Sequence, residues 1–334
     1  MLRNAGILLL SIIFSLGLSE IFVRLFVKIR DVGPSYTVYD PVFGKRLKAN
    51  FRAKRITPEF TMILSTNSLG FRGPEPKYAI NRPILFLGDS YTLGYGVSDG
   101  QEYPALISNE LNHRNIGDAQ PVLNEGIGDS GNGIWLKFLN GEMAKWQPNI
   151  VVMQFSENDF DDNINENLFA LTSNGSLQEL PVPPAGLLRN LQGFIEAIPG
   201  LPYSYLVGLM RQVLTPSYTP QQQKNNQPLQ SAEPNLHDKL TFQIAEKAIS
   251  ICEAHSWKIL ALSVGLPISR ESALKEIFSR HGVSYIHIPS KIERPDLYYV
   301  IDGHWNSAGH EYVAAHVLEM LDTIDAKKPQ NFIR

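Results

Sequence analysis

Short runs of apolar residues alternate with stretches of helical periodicity along most of the chain. Five runs have the length and composition of buried strands: Ile84–Leu87, Val122–Leu123, Ile150–Phe155, Ile259–Val264 and Tyr285–Ile288. Between and after them, apolar residues recur three or four positions apart, in sets that begin at Leu106, Trp135, Ala245 and Val313. This alternation predicts the α/β class, as a three-layer α/β/α sandwich with a five-stranded parallel sheet.

The alternation is interrupted once, between the third strand and its following helix. Residues 160–234 form an insertion far longer than the usual connection of a few residues. The insertion contains apolar helical pieces at Leu187–Ile198 and Tyr203–Leu214, and a polar run at Gln221–Gln227 that predicts a flexible loop. Because it leaves the sheet where the third strand ends, it is a candidate lid or substrate-binding wall. A decorative subdomain is the alternative.

The first thirty residues carry a different pattern. Residues 5–19 are uncharged and apolar, and the continuation to Val27 makes the segment long enough to cross a bilayer. Glu20 and Arg24 are four residues apart, so they can pair on one face of a helix. A cleaved signal peptide would need a small-residue site after the run, and a lipoprotein would need a cysteine there; neither is present. The pattern therefore predicts that residues 1–30 form an uncleaved membrane anchor.

The orientation of this anchor depends on the positive charges on the two sides of the apolar run. Arg3 precedes the apolar run, whereas Arg24, Lys28 and Arg30 follow it, and taken literally this distribution favours a cytoplasmic body. Long domains translocate largely regardless of flanking charge, and Glu20 can neutralise Arg24. We therefore expect the body of the protein to be extracytoplasmic, in the periplasm or its equivalent.

Residues 31–80 are rich in glycine and proline and contain the β-favouring segment Phe60–Thr66. They predict a β-rich arm or linker between the anchor and a main domain at residues 81–325. The arm shows no cluster of titratable residues, so a packing or spacer role is preferred. Arg72 could reach an anionic substrate, but a surface or loop-pairing arginine is the favoured interpretation.

Composition narrows the function classes. The chain has 334 residues, 43% of them hydrophobic, which suits a globular core. The net charge of -3 gives no reason to expect a nucleic-acid partner. The single cysteine, Cys252, excludes an intrachain disulfide and a cysteine-rich zinc cluster. Cys252 lies on the apolar face of a predicted helix and is interpreted as a buried small residue.

Chemically capable residues follow the predicted strands. Ser90 comes after the first strand, the loop Asn124–Gly131 after the second, Asn158 after the third, and Asp302 and His304 after the fifth. The carboxyl ends of parallel strands meet at one edge of the sheet, where ligands bind in open α/β folds. A hydroxyl, an imidazole, a carboxylate and hydrogen-bond donors are the groups that acyl transfer requires.

In these motifs the sequence resembles the SGNH/GDSL superfamily of serine esterases and acyltransferases, over about residues 80–325. Gly88-Asp89-Ser90 is similar to its first block, Val122–Gly126 to the second, Glu157-Asn158-Asp159 to the third, and Asp302 with His304 to the last. The arm segment Asn67–Gly73 is similar to bacterial membrane-anchored members. The resemblance implies the flavodoxin-like fold of that superfamily.

The sequence departs from the family pattern at three places. The oxyanion glycine of the second block aligns with Asp129, and Ser156 stands where many members have glycine. The last block usually separates aspartate and histidine by two residues, but here only Gly303 intervenes. The shorter Asp-x-His-Trp form resembles polysaccharide O-acetyltransferases of the same superfamily, which raises transfer as an outcome.

We expect Ser90 to be the nucleophile and His304 to be its base, with Asp302 orienting the imidazole. Of the eight histidines, His310 is the second candidate for the base. The expected oxyanion donors are the backbone N–H of Ser90, a second N–H from the loop between Gly126 and Asp129, and the Asn158 amide. A metal site built from Asp302, His304 and His310 is conceivable, but no strong metal-ligand motif supports it, and no cofactor is expected.

The sequence thus predicts a serine esterase or O-acyltransferase acting through an acyl-Ser90 intermediate. An acylated small molecule or a cell-envelope carbohydrate, with acetyl as the preferred acyl group, is the expected substrate. A catalytically silent member of the same fold, which binds glycan and scaffolds envelope assembly, is the alternative.

Overall fold

The computed structural model describes residues 2–76, 82–114, 121–141, 143–214 and 235–326. The chain begins with helix α1 (Leu2–Phe26), which is long and apolar enough to cross a membrane; an N-terminal signal sequence meets the same criteria. Most of its apolar side chains are exposed. The pairing predicted between Glu20 and Arg24 is present, at 3.3 Å between Oε1 and Nη2.

The arm consists of two antiparallel hairpins, which confirms its predicted β content. Strands β1 (Thr37–Asp40) and β2 (Gly44–Leu47) form the first hairpin, and β3 (Arg52–Ile56) and β4 (Thr61–Ser65) form the second. Alternate residues of β4 are buried against the main domain, including Met62 and Leu64. The arm is therefore packed onto the core.

The centre of the main domain is a parallel sheet of five strands. Its strands are β5 (Ile84–Gly88), β6 (Val122–Gly126), β7 (Ile150–Ser156), β10 (Lys258–Val264) and β11 (Ser284–Ile288), and β8 (Phe169–Leu171) and β9 (Leu177–Glu179) form a separate hairpin. The order across the sheet is β11-β10-β7-β5-β6. This is the flavodoxin-like order, whose ligand-binding crevice lies beside the carboxyl end of the first sheet strand, here β5.

Helices cover both faces of the sheet, as predicted. The helices that follow β5 in the chain are α2 (Ser90–Leu93), α3 (Tyr103–Arg114), α4 (Gly133–Asn140), α5 (Asp159–Glu166), α6 (Leu187–Ala197), α7 (Tyr205–Leu214), α8 (Leu236–Ala254), α9 (Ile268–Arg280) and α10 (Ser307–Ala326), of which α6 and α7 belong to the insertion. Leu85 and Leu87 face the core shared with α4, α8 and α9. Ile84 and Phe86 face the opposite core, which α3 and α10 complete. The fold class predicted from the sequence is confirmed.

Two local features differ from the sequence patterns. The apolar spacing that begins at Trp135 continues in the sequence to Trp146, but α4 ends at Asn140 with Gly141 as its C-cap, and a 3₁₀ turn follows at Met143–Trp146. Helix α9 was not among the predicted helices, since it carries few buried apolar residues beyond Leu274, Ile277 and Phe278. The two helical pieces predicted in the insertion are present as α6 and α7. The polar run at Gln221–Gln227 lies outside the described residues.

Candidate active site

Ser90 lies on a tight turn between β5 and the four-residue helix α2. The turn requires glycine at position 88, because a Cβ there would lie 2.1 Å from Thr92 Oγ1. The Asp89 side chain caps the helix by accepting a hydrogen bond from the Tyr91 N–H at 2.9 Å. These contacts fix the serine at the carboxyl edge of the sheet with its hydroxyl directed into a cavity.

The structure brings His304 and Asp302 to this hydroxyl. His304 Nε2 lies 2.7 Å from Ser90 Oγ, and His304 Nδ1 lies 2.5 Å from Asp302 Oδ1. Gly303 has a φ of 89°, a left-handed conformation that glycine adopts without strain. It turns the chain so that a carboxylate and an imidazole only two positions apart can meet, which accounts for the short spacing of this motif.

The charge balance around His304 favours its protonated form. Burial alone would lower the pKa of the imidazole, but the adjacent Asp302 carboxylate and its hydrogen bond outweigh burial and raise that pKa above its usual value. At Asp302, burial alone would raise the pKa of the carboxyl group. The charge of His304 and its hydrogen bonds outweigh burial and lower that pKa below its usual value. This arrangement stabilises an imidazolium, the species formed when the serine proton is transferred.

His310, the second candidate for the base, has a structural position instead. It is fully buried, and its Nδ1 accepts a hydrogen bond from the Tyr103 N–H at 3.3 Å. Burial lowers the pKa of His310 to about 3, so the ring is neutral and is already committed to a backbone contact. Trp305 is also fully buried, between Tyr91 and Tyr103, and acts as a packing residue next to the site.

The loop after β6 lies beside Ser90, and Asp129 lines the same cavity. Asp129 has a φ of 54°, in the left-handed region that glycine favours and aspartate tolerates. This conformation explains how aspartate can occupy a position where the family pattern that the sequence resembles has glycine. Lys45 Nζ, from the arm, donates to the carbonyl oxygens of Gly128 and Asp129 and holds the loop from outside.

Gly126 does not fit the donor role predicted for it. Its N–H donates to Asn124 Oδ1 at 2.9 Å and is therefore already engaged at the end of its own strand. The reason for glycine here is space, since a Cβ would lie 2.0 Å from the Leu93 nitrogen of α2. Gly126 allows the serine turn to pack against β6.

Asn158 lies just before α5, and its Nδ2 donates a hydrogen bond to Asp162 Oδ2 at 2.9 Å. This contact orients the amide and uses one of its two N–H groups, so that the second N–H can donate to a substrate. Ser156, which departs from the family glycine, contacts both Asp89 Oδ2 at 2.6 Å and Asn158 Oδ1 at 2.7 Å. One hydroxyl proton cannot serve two acceptors. Burial raises the pKa of Asp89, and a protonated Asp89 would donate to Ser156 and complete the chain to Asn158.

Residues of the arm that sequence motifs did not indicate also reach the site. Glu59 Oε2, in the turn between β3 and β4, accepts hydrogen bonds from the N–H groups of Ile301 at 2.7 Å and Asp302 at 2.6 Å. Tyr95 packs edge-on against the His304 ring, with centroids 5.0 Å apart, and its hydroxyl donates to Asp31 Oδ2 at 3.0 Å. No local pattern marks such long-range contacts.

Arg72 is the loop-pairing arginine that the sequence favoured, although it is buried and not at the surface. Its guanidinium donates to the carbonyl oxygens of Leu93, Gly94 and Val97 at 2.6, 2.7 and 2.8 Å. It therefore fixes the chain that leaves α2. Among the described residues, no group of three metal-ligating side chains is found, and the absence of a cofactor stays a prediction.

A cavity of about 670 Å³ extends from the Ser90 hydroxyl to the segment that follows α1. Ser90, Asp302 and His304 line one end, and residues 28–31 line the other. Helices α6 and α7 contribute Gln192 and Arg211 to its wall. The insertion thus supplies part of the cavity wall, and its role in substrate binding stays a prediction.

One known family matches part of the chain, and several solved structures are similar to it. Residues 86–247 match the model of the GDSL-like Lipase/Acylhydrolase family, and no curated protein matches the sequence. Solved structures with a similar fold include LAE5, an alpha/beta hydrolase enzyme from the metagenome of Lake Arreo, Spain (13% identity, 72% of this chain and 95% of that chain, TM-score 0.42). The acetyl xylan esterase AlAXEase is 11% identical over 72% of this chain and 99% of its own, with a TM-score of 0.43. A two-domain esterase, CEX, active on acetylated mannans, is 11% identical over 72% of this chain and 48% of its own, with a TM-score of 0.41. These identities assign no substrate.

Proposed function

We propose that this chain, which carries a GDSL-like lipase/acylhydrolase domain, cleaves or transfers an acyl ester through a covalent intermediate on Ser90. The observation that carries the proposal is the 2.7 Å contact between Ser90 Oγ and His304 Nε2, with Asp302 on the far side of the imidazole. A serine hydroxyl is a weak nucleophile until a base accepts its proton, and a contact of this length permits the transfer.

In the first half-reaction, Ser90 Oγ attacks the ester carbonyl carbon while its proton passes to His304 Nε2. The negative charge that develops on the carbonyl oxygen is stabilised by the backbone N–H of Ser90, by an N–H of the loop at Asp129, and by the Asn158 amide. Each such donor contributes about 100- to 1,000-fold in rate in enzymes of this kind. The carbon–oxygen bond to the leaving alcohol then breaks, and His304 returns the proton to that alcohol.

In the second half-reaction, an acceptor hydroxyl attacks the acyl-Ser90 ester with His304 again acting as base. Water as acceptor releases the free acid, and a sugar hydroxyl yields an acylated sugar. The short Asp302-Gly303-His304-Trp305 motif resembles polysaccharide O-acetyltransferases, which favours an acetyl group and a carbohydrate of the cell envelope. No cofactor takes part in either step.

The proposed location follows from α1, whose length and apolar surface suit a single membrane crossing. We place the catalytic domain outside the cytoplasm, where envelope carbohydrates are found. A reporter enzyme that is active only outside the cytoplasm, fused to the C-terminus, is expected to be active. An inactive fusion that is expressed at normal level contradicts this orientation.

The test of the proposal combines an active-site probe with product analysis. An organophosphonate is expected to label the wild-type protein and to leave Ser90→Ala unlabelled, with Ser250→Ala, at an exposed hydroxyl of α8, as the control that retains labelling. An activated acetyl ester is then supplied with and without candidate glycans. Acylated sugar as product supports transfer, and free acid alone in the presence of glycan supports hydrolysis.

Absence of both labelling and turnover, with the fold intact, contradicts the proposal. That result, together with unchanged cellular function in Ser90→Ala, favours a catalytically silent, glycan-binding scaffold.

A further inference from the structure

Helix α6 buries Ile195 but presents three other apolar side chains away from the protein. Leu187, Leu191 and Phe194 follow a spacing of four and three residues, so they form one stripe, and Phe194 is 66% exposed. Polar residues face inward: Glu196 Oε1 accepts a hydrogen bond from the Ser35 N–H at 2.9 Å, and Gln192 lines the cavity. A surface helix of a water-soluble domain normally has the opposite arrangement.

Helix α7 packs Leu206 and Leu209 against the cluster that contains Val23 of α1, but it also exposes apolar side chains. Met210, Val213 and Leu214 are exposed, with Val213 at 70%, whereas Gly208 and Arg211 line the cavity. We call the six exposed side chains of the two helices the insert face: Leu187, Leu191, Phe194, Met210, Val213 and Leu214. Exposed apolar side chains of this kind, on two successive helices of one insertion, are typical of helices that lie in a membrane interface.

The insert face is joined directly to α1. Glu20, in the last third of α1, accepts hydrogen bonds from the N–H groups of Tyr205 and Leu206, each at 2.9 Å, and from Ser204 Oγ at 2.7 Å. A carboxylate at this position caps the N-terminus of α7. Val23 of α1 packs in one cluster with Leu206 and Leu209 of α7. The bilayer that contains α1 therefore begins beside α7.

The cavity opens toward the same region. Its far end is formed by residues 28–31, which follow α1 directly, and by Gly208 and Arg211 of α7. Gly208 approaches this segment closely, since a Cβ there would lie 2.8 Å from Ile29 Cγ2. A molecule held at the membrane surface could therefore extend from the end of α1 to Ser90 inside one continuous cavity.

The membrane end of the cavity is positively charged. Lys28 and Arg30 line it, and within the described parts of the chain neither forms an ion pair with a carboxylate. The carboxylates that line the cavity lie elsewhere or are paired: Asp31 pairs with Arg55, and Glu59, Asp129 and Asp302 belong to the catalytic end. Two cations at the level of the lipid head groups favour an anionic ligand.

We propose that the insert face lies in the membrane interface beside α1, and that the cavity takes its ester from a membrane lipid whose phosphate is bound by Lys28 and Arg30. The inference rests on the proposed function for the ester chemistry at Ser90. It adds the source of the acyl group, a lipid ester that enters from the bilayer and not from the aqueous phase, and leaves the envelope carbohydrate of the proposed function as the acceptor. The exposed apolar side chains of α6 and α7 are explained by the same contact.

The membrane contact is tested on the full chain, without recourse to activity. Cys252 is buried and burial raises the pKa of its thiol to about 12, so a cysteine introduced at Phe194 or Val213 can be labelled selectively. The matched control is Ser279→Cys, exposed at the C-terminal end of α9 and therefore at the opposite edge of the sheet. Each variant is reconstituted in bilayers of equal parts phosphatidylcholine and phosphatidylglycerol and carries an environment-sensitive fluorophore.

The labels at positions 194 and 213 are expected to show blue-shifted emission and several-fold stronger quenching by spin-labelled lipid than the label at 279. Equal, water-like emission at all three positions overturns the inference, even if Ser90-dependent hydrolysis of a soluble ester is observed. Conversely, a buried label at 194 without any Ser90-dependent hydrolysis contradicts the proposed function and leaves the membrane contact standing.

Phosphate recognition is tested with three acetyl esters: acetylated phosphatidylglycerol in vesicles, a neutral acetylated diacylglycerol in vesicles, and soluble acetylglycerol phosphate. The wild type is expected to prefer the phosphate-bearing lipid to both others in kcat/KM. The double variant Lys28→Glu, Arg30→Glu is expected to reduce the preference for the phosphate-bearing over the neutral lipid by about tenfold or more. The charge reversal Lys275→Glu, at an exposed position of α9, is the control. Equal use of the soluble and lipid esters, or an unchanged preference in the double variant, refutes lipid-phosphate recognition.

Discussion

At the scale of single residues, the site depends on how Asp302 controls His304. The carboxylate raises the pKa of the imidazole against the effect of burial, and only the neutral imidazole can accept the Ser90 proton. Activity should therefore fall as the pH decreases through the raised pKa of His304. The midpoint of this acidic limb should lie above about 6.5, the usual pKa of histidine.

Asp302→Asn should remove the cause of this shift. We expect the pKa of His304 to fall and the acidic limb of the pH–rate profile to move to lower pH, with kcat reduced about 10³- to 10⁴-fold. Asp296→Asn is the matched control, because Asp296 is exposed and pairs with Arg294 in the preceding segment. An acidic limb that stays at the wild-type pH in Asp302→Asn would show that Asp302 does not set the pKa of the base.

The left-handed backbone at Asp129 gives a second prediction at this scale. Asp129→Gly should retain activity, whereas Asp129→Val should lose about 100-fold in kcat, because a β-branched residue strains a φ of 54° and displaces the loop N–H from the oxyanion. Asn167→Val is the control: Asn167 has a φ of 51° at the end of α5, so it carries similar strain away from the serine. Equal kcat losses in the two valine variants, measured with a soluble acetyl ester, would contradict the oxyanion role.

The residues of the site differ in how far the sequence could identify them. Ser90, Asp302 and His304 follow predicted strands, so the assumption of a parallel sheet was sufficient to bring them together. Gly126 was misjudged because a glycine motif does not show which N–H groups are already engaged; its own donates to Asn124. Glu59 could not be found, since it reaches Asp302 across 243 positions without any motif of its own.

At the scale of elements, the hairpin of β3 and β4 stabilises the catalytic loop through Glu59. Glu59→Ala removes the acceptor for two backbone N–H groups, so the Asp302 loop should become less ordered, and we expect kcat to fall roughly 10- to 100-fold. Glu59→Gln keeps an acceptor oxygen and should retain most of the activity. Because looser contact with Asp302 weakens the shift at His304, the acidic limb should also move to lower pH in the alanine variant.

The control for this positioning role is Glu75→Ala, which removes another arm carboxylate, one that accepts a hydrogen bond from the Ser68 N–H at 2.8 Å. If Glu59→Ala lowers only the melting temperature and leaves kcat and the pH profile unchanged, the hairpin has a purely structural role.

The elements themselves were predicted where their pattern was strong. The five sheet strands and helices α3, α8 and α10 have buried faces that the apolar spacing reveals. Two features depended on weaker signals. Gly141 ends α4 although the apolar periodicity continues after it. Helix α9 buries few large side chains, so tertiary contacts and not an apolar pattern determine its formation.

At the scale of the whole molecule, the sheet order brings Ser90 and His304 into contact although 214 positions separate them in the chain. This convergence follows from parallel strands and could be predicted. The extension of the cavity to α1 could not, because it depends on Glu20 binding the N-terminus of α7 in addition to its predicted partner Arg24. Helix α1, the insertion and the carboxyl edge of the sheet thus all contribute to the structure around the cavity.

The covalent intermediate is the central claim, and mass spectrometry of the enzyme quenched during turnover of an activated acetyl ester tests it most directly. We predict an acetyl group on the peptide that contains Ser90, accumulating in a burst before steady state and absent from Ser90→Ala. Steady turnover without acetylated enzyme at any quench time, or an acetyl group on another residue with full activity in Ser90→Ala, would contradict the account.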